Sequence, residues 1–242
     1  CSRRLPTISA SLPDYLALTK PRITGLVVLT AAAGFLLASR PPVEWMRLLW
    51  VSIGVALASA ATGCLNQVME VSEDSRMRRT RGRPLPQGRL RPVPAAAFGA
   101  ALAVFGGLVL LKRVNPLSFA LTVFTLASYL LVYTPLKKKS SLALWIGAIP
   151  GAMPPLIGWA AAAGNLPSAA WVLFAIQFLW QIPHFLALSW LYREDYARAG
   201  FRVASLDDPS GSSLARQMGA ASLLLAAASL APYALGSGGA GC

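Results

Sequence analysis

The sequence predicts an all-α protein that crosses a membrane several times as a polytopic helical bundle. Hydrophobic residues make up 55% of the 242 residues, charged residues only 13%, and the mean hydropathy is +0.55. A soluble domain carries about 25% charged residues and would need charged outer faces on most of its helices. The charges cluster here and leave apolar runs long enough to span a bilayer. There are about seven such runs, at roughly 23–39, 45–66, 93–111, 117–134, 142–162, 168–190 and 214–235.

The segment before the first span, residues 1–12, carries two arginines and three serines but no acidic residue, which is typical of the end of a transit peptide. We expect the membrane domain to cover residues 13–235 and a low-complexity tail to cover 236–242. Pro21 suits the start of the first helix. We interpret the adjacent Lys20 and Arg22 as anchors at the membrane surface in preference to substrate ligands.

The second span ends in a polar stripe. Asn66, Glu70, Asp74 and Arg78 recur every four residues, and four residues of α-helix advance about 400°. If the helix continues to about Arg78, their side chains share one face. Carboxylate and amide oxygens are ligands for Mg²⁺, and carboxylates at a membrane boundary suggest function. The alternative is a solvated helix end with a salt bridge between Asp74 and Arg78.

Basic residues follow this stripe and recur after the fourth span. Arg78, Arg79 and Arg83 are candidates to bind phosphate oxygens, because guanidinium groups match phosphate geometry. Tyr133 and Lys137 flank Pro135 at the same membrane level, and Lys137 is a further candidate to bind phosphate. The fifth span contains Gly147, Pro150, Gly151, Pro154, Pro155 and Gly158. Such a density of proline and glycine predicts a kink or a broken helix beside a cavity.

The sixth span carries a second polar stripe. Gln177 and His184 fall on one helical face within about 20°, as do His184 and Asp195, and Gln181 belongs to the same stripe. Asp195 could bind a second Mg²⁺ opposite the first stripe. His184 is the only histidine, and a lone histidine is often a satisfied structural residue. Both stripes lie at the ends of even-numbered spans, so the arrangement indicates a duplicated four-helix unit.

Charge distribution sets the orientation. Of the 22 basic residues, 18 lie on the side of the N-terminus and 4 on the other, and eight of nine acidic residues share the basic side. The positive-inside rule therefore predicts that the N-terminus faces the inner compartment. With no soluble basic domain, the net charge of +13 does not indicate nucleic-acid binding. The three cysteines have no metal-binding or disulfide spacing.

These motifs together resemble the UbiA-type intramembrane prenyltransferases, and within that family the branch that acts on protohaem IX. The similar residues run from about 14 to 225. They include LTKPRIT (18–24), NQVMEVSEDSRMRRTRGRPL (66–85), YTPLKKKS (133–140), WIGAIPGAMPPLIGWAAAAG (145–164) and WQIPHFLALSWLYREDYARAGF (180–201). The chain departs from the aspartate-rich first motif of most members, since Gln67 and Glu70 replace aspartates.

The resemblance implies a helical bundle around a lateral cavity and a Mg²⁺-dependent transfer of a farnesyl group from farnesyl diphosphate to the vinyl group of protohaem IX (haem B). The product is haem O, a precursor of the haem A of cytochrome c oxidase. His184 would orient haem, ligate its iron or contact diphosphate. The implied catalytic residues are Asn66, Glu70, Asp74, His184 and Asp195, the metal ligands Asn66, Glu70, Asp74 and Asp195, and the diphosphate ligands Arg78, Arg79, Arg83, Lys137 and Arg193.

The resemblance also implies a location and partners. We expect a multi-pass protein of the mitochondrial inner membrane with its basic loops in the matrix, or of the plasma membrane in a prokaryote. Its partners would be the two substrates, the lipid bilayer and a second copy or a haem A synthase. The family normally has nine membrane helices, so the seven predicted here lead us to expect an unstable or weakly active chain.

Two other functions fit parts of the pattern. A prenyltransferase for an aromatic quinone precursor would share the diphosphate site, but the histidine and glutamines of the second stripe argue against it. A transporter for an anionic solute would also place polar stripes at helix ends. It would form no product and would not depend on Mg²⁺.

Overall fold

A computed structural model describes residues 11–234 of the chain, and this part is helical, without a strand. The prediction of an all-α fold is therefore confirmed. The predicted tail 236–242, and all but the last two residues of the predicted N-terminal segment 1–12, lie outside the described residues.

Within residues 11–234, seven helical segments are long and apolar enough to cross a membrane, which agrees with the predicted number of spans. The chain is thus a multi-pass membrane protein. The spans are α2 (Pro21–Ala38), α3 (Trp45–Met69), α5 (Pro92–Arg113), α6 (Pro116–Ala127) with its continuation, α8 (Ala143–Ala163), α9 (Ser168–Leu191) and α12 (Ser212–Ala234). The continuation of α6 is a π-helical segment, Ser128–Tyr133, and α7 (Thr134–Leu136). Four short helices complete the fold: α1 (Leu12–Leu18), α4 (Val71–Arg76), α10 (Arg193–Ala199) and α11 (Ala204–Asp207).

Local sequence explains where several helices begin and end. Proline occupies the first turn of α2, α5 and α6, where its missing N–H leaves no helical hydrogen bond unmade. Asn115 caps α6, because its Oδ1 accepts the N–H of Ser118 at 2.8 Å. Gly164 ends α8 and Gly200 ends α10 with φ of 71° and 78°, values that glycine adopts without strain.

The proline-rich helix α8 is the most buried span and packs against α2, α6 and α9. It runs as one helix from Ala143 to Ala163, so the broken helix that was one of the two predicted forms is not found. Its close contact with α2 depends on small residues. A Cβ added at Gly158 would overlap the backbone carbonyl of Ala31. The glycines and prolines therefore allow close helix packing beside the cavity.

The second span does not continue to Arg78, so this prediction is wrong. Helix α3 ends at Met69, Glu70 breaks it with φ −116° and ψ 21°, and α4 follows. The chain then leaves helical geometry at Met77, which is extended because its side chain is buried against Ala199 and Phe201.

The sixth span breaks in the same way. Helix α9 ends at Leu191, Tyr192 has φ −109° and ψ 22°, and the short helix α10 follows. Each polar stripe thus ends in one break residue and one short helix, and α4 packs against α10. This correspondence supports the predicted duplication of a four-helix unit.

Candidate active site

A cavity of about 740 Å³ lies between α2, α3, α6 with its continuation, α8 and α9. This volume is in the range of small-molecule and cofactor sites. Its wall is mostly apolar, but charged residues converge where α3 breaks. Five cations and two carboxylates line the cavity, which leaves a surplus of three positive charges. They are Lys20, Arg79, Arg83, Lys137, Arg202, Glu70 and Asp74.

Asn66 and Glu70 form the first group at this end. The amide of Asn66 donates to Glu70 Oε2 at 2.9 Å, and Lys137 Nζ lies 2.5 Å from Glu70 Oε1. The amide also reaches Thr134 Oγ1 at 3.4 Å. Asn66 and Glu70 are buried, with 3% and 4% of their surface exposed. A carboxylate at this depth is tolerable because it has both a cation and an amide as partners.

Asp74 forms the second group with Arg83. Asp74 is 1% exposed, and its Oδ2 accepts a hydrogen bond from Arg83 Nη1 at 2.7 Å. The hydrogen bonds from Glu70 N to Asn66 O and from Asp74 N to Glu70 O carry the helical register across the break. Asp74 therefore stays on the face of Asn66 and Glu70. Within residues 11–234 its ion-pair partner is Arg83, and no salt bridge to Arg78 forms.

The π-helical segment places Lys137 over the first group. Lys137 Nζ lies 4.8 Å from the ring centroid of Tyr133 and 5.3 Å from that of Phe201. Burial alone would lower the pKa of Lys137, but the neighbouring Tyr133 and Glu70 raise it above its usual value. The amine is therefore charged at neutral pH. A π-helical turn inside an α-helix often marks a functional site.

Lys20 enters the cavity from the start of α2, which differs from its interpretation as a surface anchor. Its backbone is left-handed, with φ 49° and ψ 61°, and its stem packs beside Gly63. Its Nζ donates to Asn66 Oδ1 at 3.3 Å. Burial, together with the nearby Arg83 and Lys137, lowers the pKa of Lys20 to about 8. No sequence signal indicated this geometry, because a residue before proline favours extended backbone.

The second stripe lines the cavity with its first three members. Gln181 Nε2 donates to the carbonyls of Gln177 at 2.9 Å and Ala148 at 3.2 Å. The imidazole of His184 is stacked on Trp180, with 5.1 Å between ring centroids and 13° between planes. The ring has no hydrogen-bond partner in the described part of the protein. His184 and Trp180 thus form a stacked aromatic pair that lines the cavity, and below we call it the aromatic surface of the second stripe.

Three predicted residues, Asp195, Arg78 and Arg193, do not line the cavity. The carboxylate of Asp195 accepts the backbone N–H groups of Arg78 at 3.2 Å and Arg79 at 3.3 Å, and it pairs with Arg198. Burial would raise the pKa of Asp195, but these three partners lower it below its usual value. The guanidinium of Arg193 lies over the ring of Trp190 at 4.8 Å.

The structure thus brings together seven predicted site residues. They are Asn66, Glu70, Asp74, Arg79, Arg83, Lys137 and His184. It adds Lys20 and Arg202, which were not predicted. The backbone N–H of Arg202 donates to the carbonyl of Lys137 at 2.9 Å, which ties the segment after α10 to the end of α7. This contact joins residues 65 positions apart, so sequence spacing could not reveal it.

Comparison with known proteins identifies the family. Residues 27–241 match the UbiA prenyltransferase family. The chain is 47% identical over 235 residues to "Protoheme IX farnesyltransferase" of Solibacter usitatus, covering 93% of this chain and 80% of the relative. It is also 47% identical over 199 residues to the human "Protoheme IX farnesyltransferase, mitochondrial", covering 82% of this chain and 45% of the human protein.

Solved structures show the same fold at low sequence identity. One is a digeranylgeranylglyceryl phosphate synthase, with a TM-score of 0.78 and 20% identity over 95% of this chain and 80% of that chain. Another is a UbiA homologue from Archaeoglobus fulgidus bound to DMAPP and Mg²⁺, with a TM-score of 0.69 and 17% identity over 87% of this chain and 76% of that chain. The fold, the converging polar residues and the sequence matches agree: this chain belongs to the UbiA prenyltransferase family.

Proposed function

We propose that this chain transfers a farnesyl group from farnesyl diphosphate to a vinyl group of protohaem IX. The observation that carries the proposal is the surplus of positive charge at one end of an otherwise apolar cavity. That distribution suits a ligand with an anionic head and a long apolar tail. The names of the relatives at 47% identity supply the donor and the acceptor.

The basic end of the cavity would bind the diphosphate. Lys137 and Arg83 already hold the two carboxylates, while Lys20 donates only to the neutral oxygen of Asn66. Lys20 and Arg79 are therefore cations whose charge no carboxylate in residues 11–234 neutralises. In a mostly apolar cavity such cations bind phosphate oxygens more strongly than they would in water.

The side chains of Asn66, Glu70 and Asp74 fit Mg²⁺, because they offer three hard oxygen donors on one face. The described residues contain no cluster of three or more His, Cys, Asp or Glu side chains, so the substrate's own oxygens would have to complete the coordination. This arrangement suits Mg²⁺, which is usually bound by one or two carboxylates together with phosphates. When bound, Mg²⁺ would neutralise charge that develops on the leaving diphosphate.

The acceptor would lie against the aromatic surface of the second stripe. His184 and Trp180 line the cavity, and Phe185 packs beside His184 at 5.4 Å between ring centroids. A planar porphyrin can stack on such a surface. The free ring nitrogens of His184 would then hold the haem in place.

The proposed reaction balances with water as a third reactant. The bond between farnesyl C1 and the diphosphate oxygen breaks, and the bonding electrons leave with diphosphate. A new carbon–carbon bond joins C1 to the terminal vinyl carbon of haem. Water adds its oxygen to the other vinyl carbon and releases a proton, which gives the hydroxyethylfarnesyl group of haem O. The apolar wall of the cavity would shield the allylic cation from water until the carbon–carbon bond has formed.

We also propose a compartment, which the names of the relatives support. We place the protein in the mitochondrial inner membrane with its basic side in the matrix, or in the plasma membrane of a prokaryote. The human relative is named as mitochondrial, and the relative from Solibacter usitatus is bacterial. The excess of basic residues on one side supports this orientation.

Reconstitution tests the proposed function. The purified chain in lipid vesicles is supplied with Mg²⁺, farnesyl diphosphate and either haem B or 4-hydroxybenzoate, and products are identified by mass. We expect haem O from haem B, no product from 4-hydroxybenzoate, and no product after chelation of Mg²⁺. Prenylated 4-hydroxybenzoate would instead show that the acceptor is an aromatic ring. The absence of both products from a folded chain would contradict the transferase proposal.

A further inference from the structure

The carboxylate of Asp195 lies outside the cavity lining and contacts the turn that carries Arg78 and Arg79. We infer that Asp195 is a positioning residue, whose carboxylate holds the turn at Arg78 and Arg79 and so sets the Arg79 guanidinium at the cavity. The identity of the anion that Arg79 binds rests on the proposed function. The structural role of Asp195 does not.

Both oxygens of Asp195 are occupied by donors from the chain. Oδ1 accepts the N–H of Arg78 and pairs with Arg198, and Oδ2 accepts the N–H of Arg79. Only 7% of Asp195 is exposed. Asp195 does not line the cavity, so a carboxylate turned toward a metal ion there would move away from these partners. Two backbone N–H groups would then lose their hydrogen bonds, which is costly for partly buried amides.

The residues on either side of the turn are fixed by other contacts. Met77 is 4% exposed and packs against Ala199 and Phe201. On the other side, Thr80 is 1% exposed, and its hydroxyl donates to the backbone carbonyl of Asp74 at 2.9 Å. The turn therefore lies between two buried residues, Met77 and Thr80.

Between these two residues, Arg78 and Arg79 are exposed, and Asp195 accepts both of their backbone N–H groups. The Arg79 guanidinium also lies 5.1 Å from the ring centroid of Tyr192. Both restraints on Arg79 thus come from the second half of the chain. The contact of Asp195 with the turn thus makes the position of Arg79 depend on the position of α10. In this way residues from both halves of the chain contribute to one site.

Limited proteolysis tests the structural role without any substrate. The full chain in detergent with a chelator is treated with trypsin, and cleavage after Arg78 and Arg79 is followed by mass. We expect Asp195→Ala to accelerate cleavage at these two sites by about tenfold, since one charge-assisted hydrogen bond stabilises by about that factor. Glu194→Ala, an exposed neighbour on the same helix, serves as the matched control and should cleave like the wild type. Equal protection of Asp195→Ala and wild type without metal would overturn the inference.

A second variant covers the case in which Asp195→Ala fails to fold. Asp195→Asn has nearly the same shape, but its amide can accept only on one side and places an NH₂ against the other backbone N–H. We expect a smaller acceleration confined to Arg78 and Arg79, with cleavage after Arg40 and Arg113 on the opposite side unchanged. Unchanged cleavage at all four sites would refute the role of the carboxylate.

Kinetics then separate positioning from metal binding. We expect Asp195→Ala and Arg79→Ala to raise the KM for farnesyl diphosphate by similar factors and the double variant to be no worse than Arg79→Ala. The Mg²⁺ concentration for half-maximal activity should stay at the wild-type value. A tenfold rise in that concentration would show that Asp195 acts on the metal. Multiplied effects in the double variant would show that Asp195 acts independently of Arg79 and would overturn the positioning role. A wild type without transferase activity would contradict the proposed function alone, since the proteolysis result stands by itself.

Discussion

The lowered pKa of the Lys20 amine leads us to predict an unusual dependence of activity on pH. Its amine lies in the cavity beside Asn66, and burial, together with Arg83 and Lys137, lowers its pKa to about 8. Glu70 and Asp74 oppose this shift but do not reverse it. If the ammonium binds the diphosphate, the free enzyme loses a substrate ligand as pH rises through about 8. The rate constant kcat/KM reports ionisations of the free enzyme, so it should fall in that range.

The magnitude follows from a single proton. With a pKa of about 8, the charged fraction of Lys20 falls by about tenfold for each pH unit above that value. We expect kcat/KM for farnesyl diphosphate to be about thirtyfold lower at pH 9.5 than at pH 7. Replacing the amine by Lys20→Met should lower kcat/KM at pH 7 by about 10- to 100-fold, the value of a charge-assisted hydrogen bond.

The assay is kcat/KM for farnesyl diphosphate from pH 6.5 to 9.5 in wild type, Lys20→Arg and Lys20→Met. Arginine stays charged throughout, so Lys20→Arg should retain its activity at high pH relative to pH 7. Lys20→Met should be low and flat. A fall above pH 8 that persists unchanged in Lys20→Met would refute the assignment to this amine.

The same shift has a consequence for stability, with the opposite sign. The folded pKa of Lys20 lies below the unfolded value of 10.5, so the unfolded chain binds more protons between about pH 8 and 10.5. The free energy of unfolding contributed by this group therefore rises with pH across that window and is constant below it. Activity and stability should consequently diverge above pH 8, and Lys20→Met should remove both effects.

Three further changes test the packing and charges of the site. Lys137→Met leaves the buried carboxylate of Glu70 without its cation and should lower the free energy of unfolding by about 3–5 kcal/mol, measured by thermal melts in detergent. Adding Glu70→Gln should restore most of that free energy. A double variant as unstable as Lys137→Met would contradict the pairing. Gly158→Ala would push α2 away from α8 and should lower the free energy of unfolding by about 1–3 kcal/mol. The control Gly25→Ala adds its methyl group in open space and should leave that free energy unchanged. His184→Phe keeps the stacking surface but removes both ring nitrogens; it should raise the KM for haem and leave that for farnesyl diphosphate within about twofold, and a change in the latter alone would contradict its placement.

The membrane spans were predictable because they depend on the length of apolar runs, which is a local property. The break at Glu70 was not, since the residues from Asn66 to Arg78 suit a helix and nothing among them stops one. The break accompanies the burial of Met77 against Phe201, a contact between the two halves of the chain. Tertiary packing of this kind overrides local helix propensity.

Site residues were likewise predictable where they depend on local helical register and not where they depend on tertiary contacts. Asn66, Glu70 and Asp74 were predicted correctly to share a face, because hydrogen bonds keep the helical register through the break. Asp195 was placed on the face of His184 by assuming one straight helix. The break at Tyr192 redirects the chain, and the carboxylate reaches the turn at Arg78 instead.

The pairing of each cavity carboxylate with its own cation has a consequence for the empty protein. Glu70 holds Lys137 and Asp74 holds Arg83, so neither acid is left uncompensated before any ligand arrives. Zinc fingers, by contrast, cannot fold until their metal binds. We therefore expect this chain to fold and insert into the bilayer without metal or substrate. When a ligand binds in the cavity, the carboxylates and cations would exchange one ionic partner for another. A chelator should therefore stop turnover while the fold remains intact.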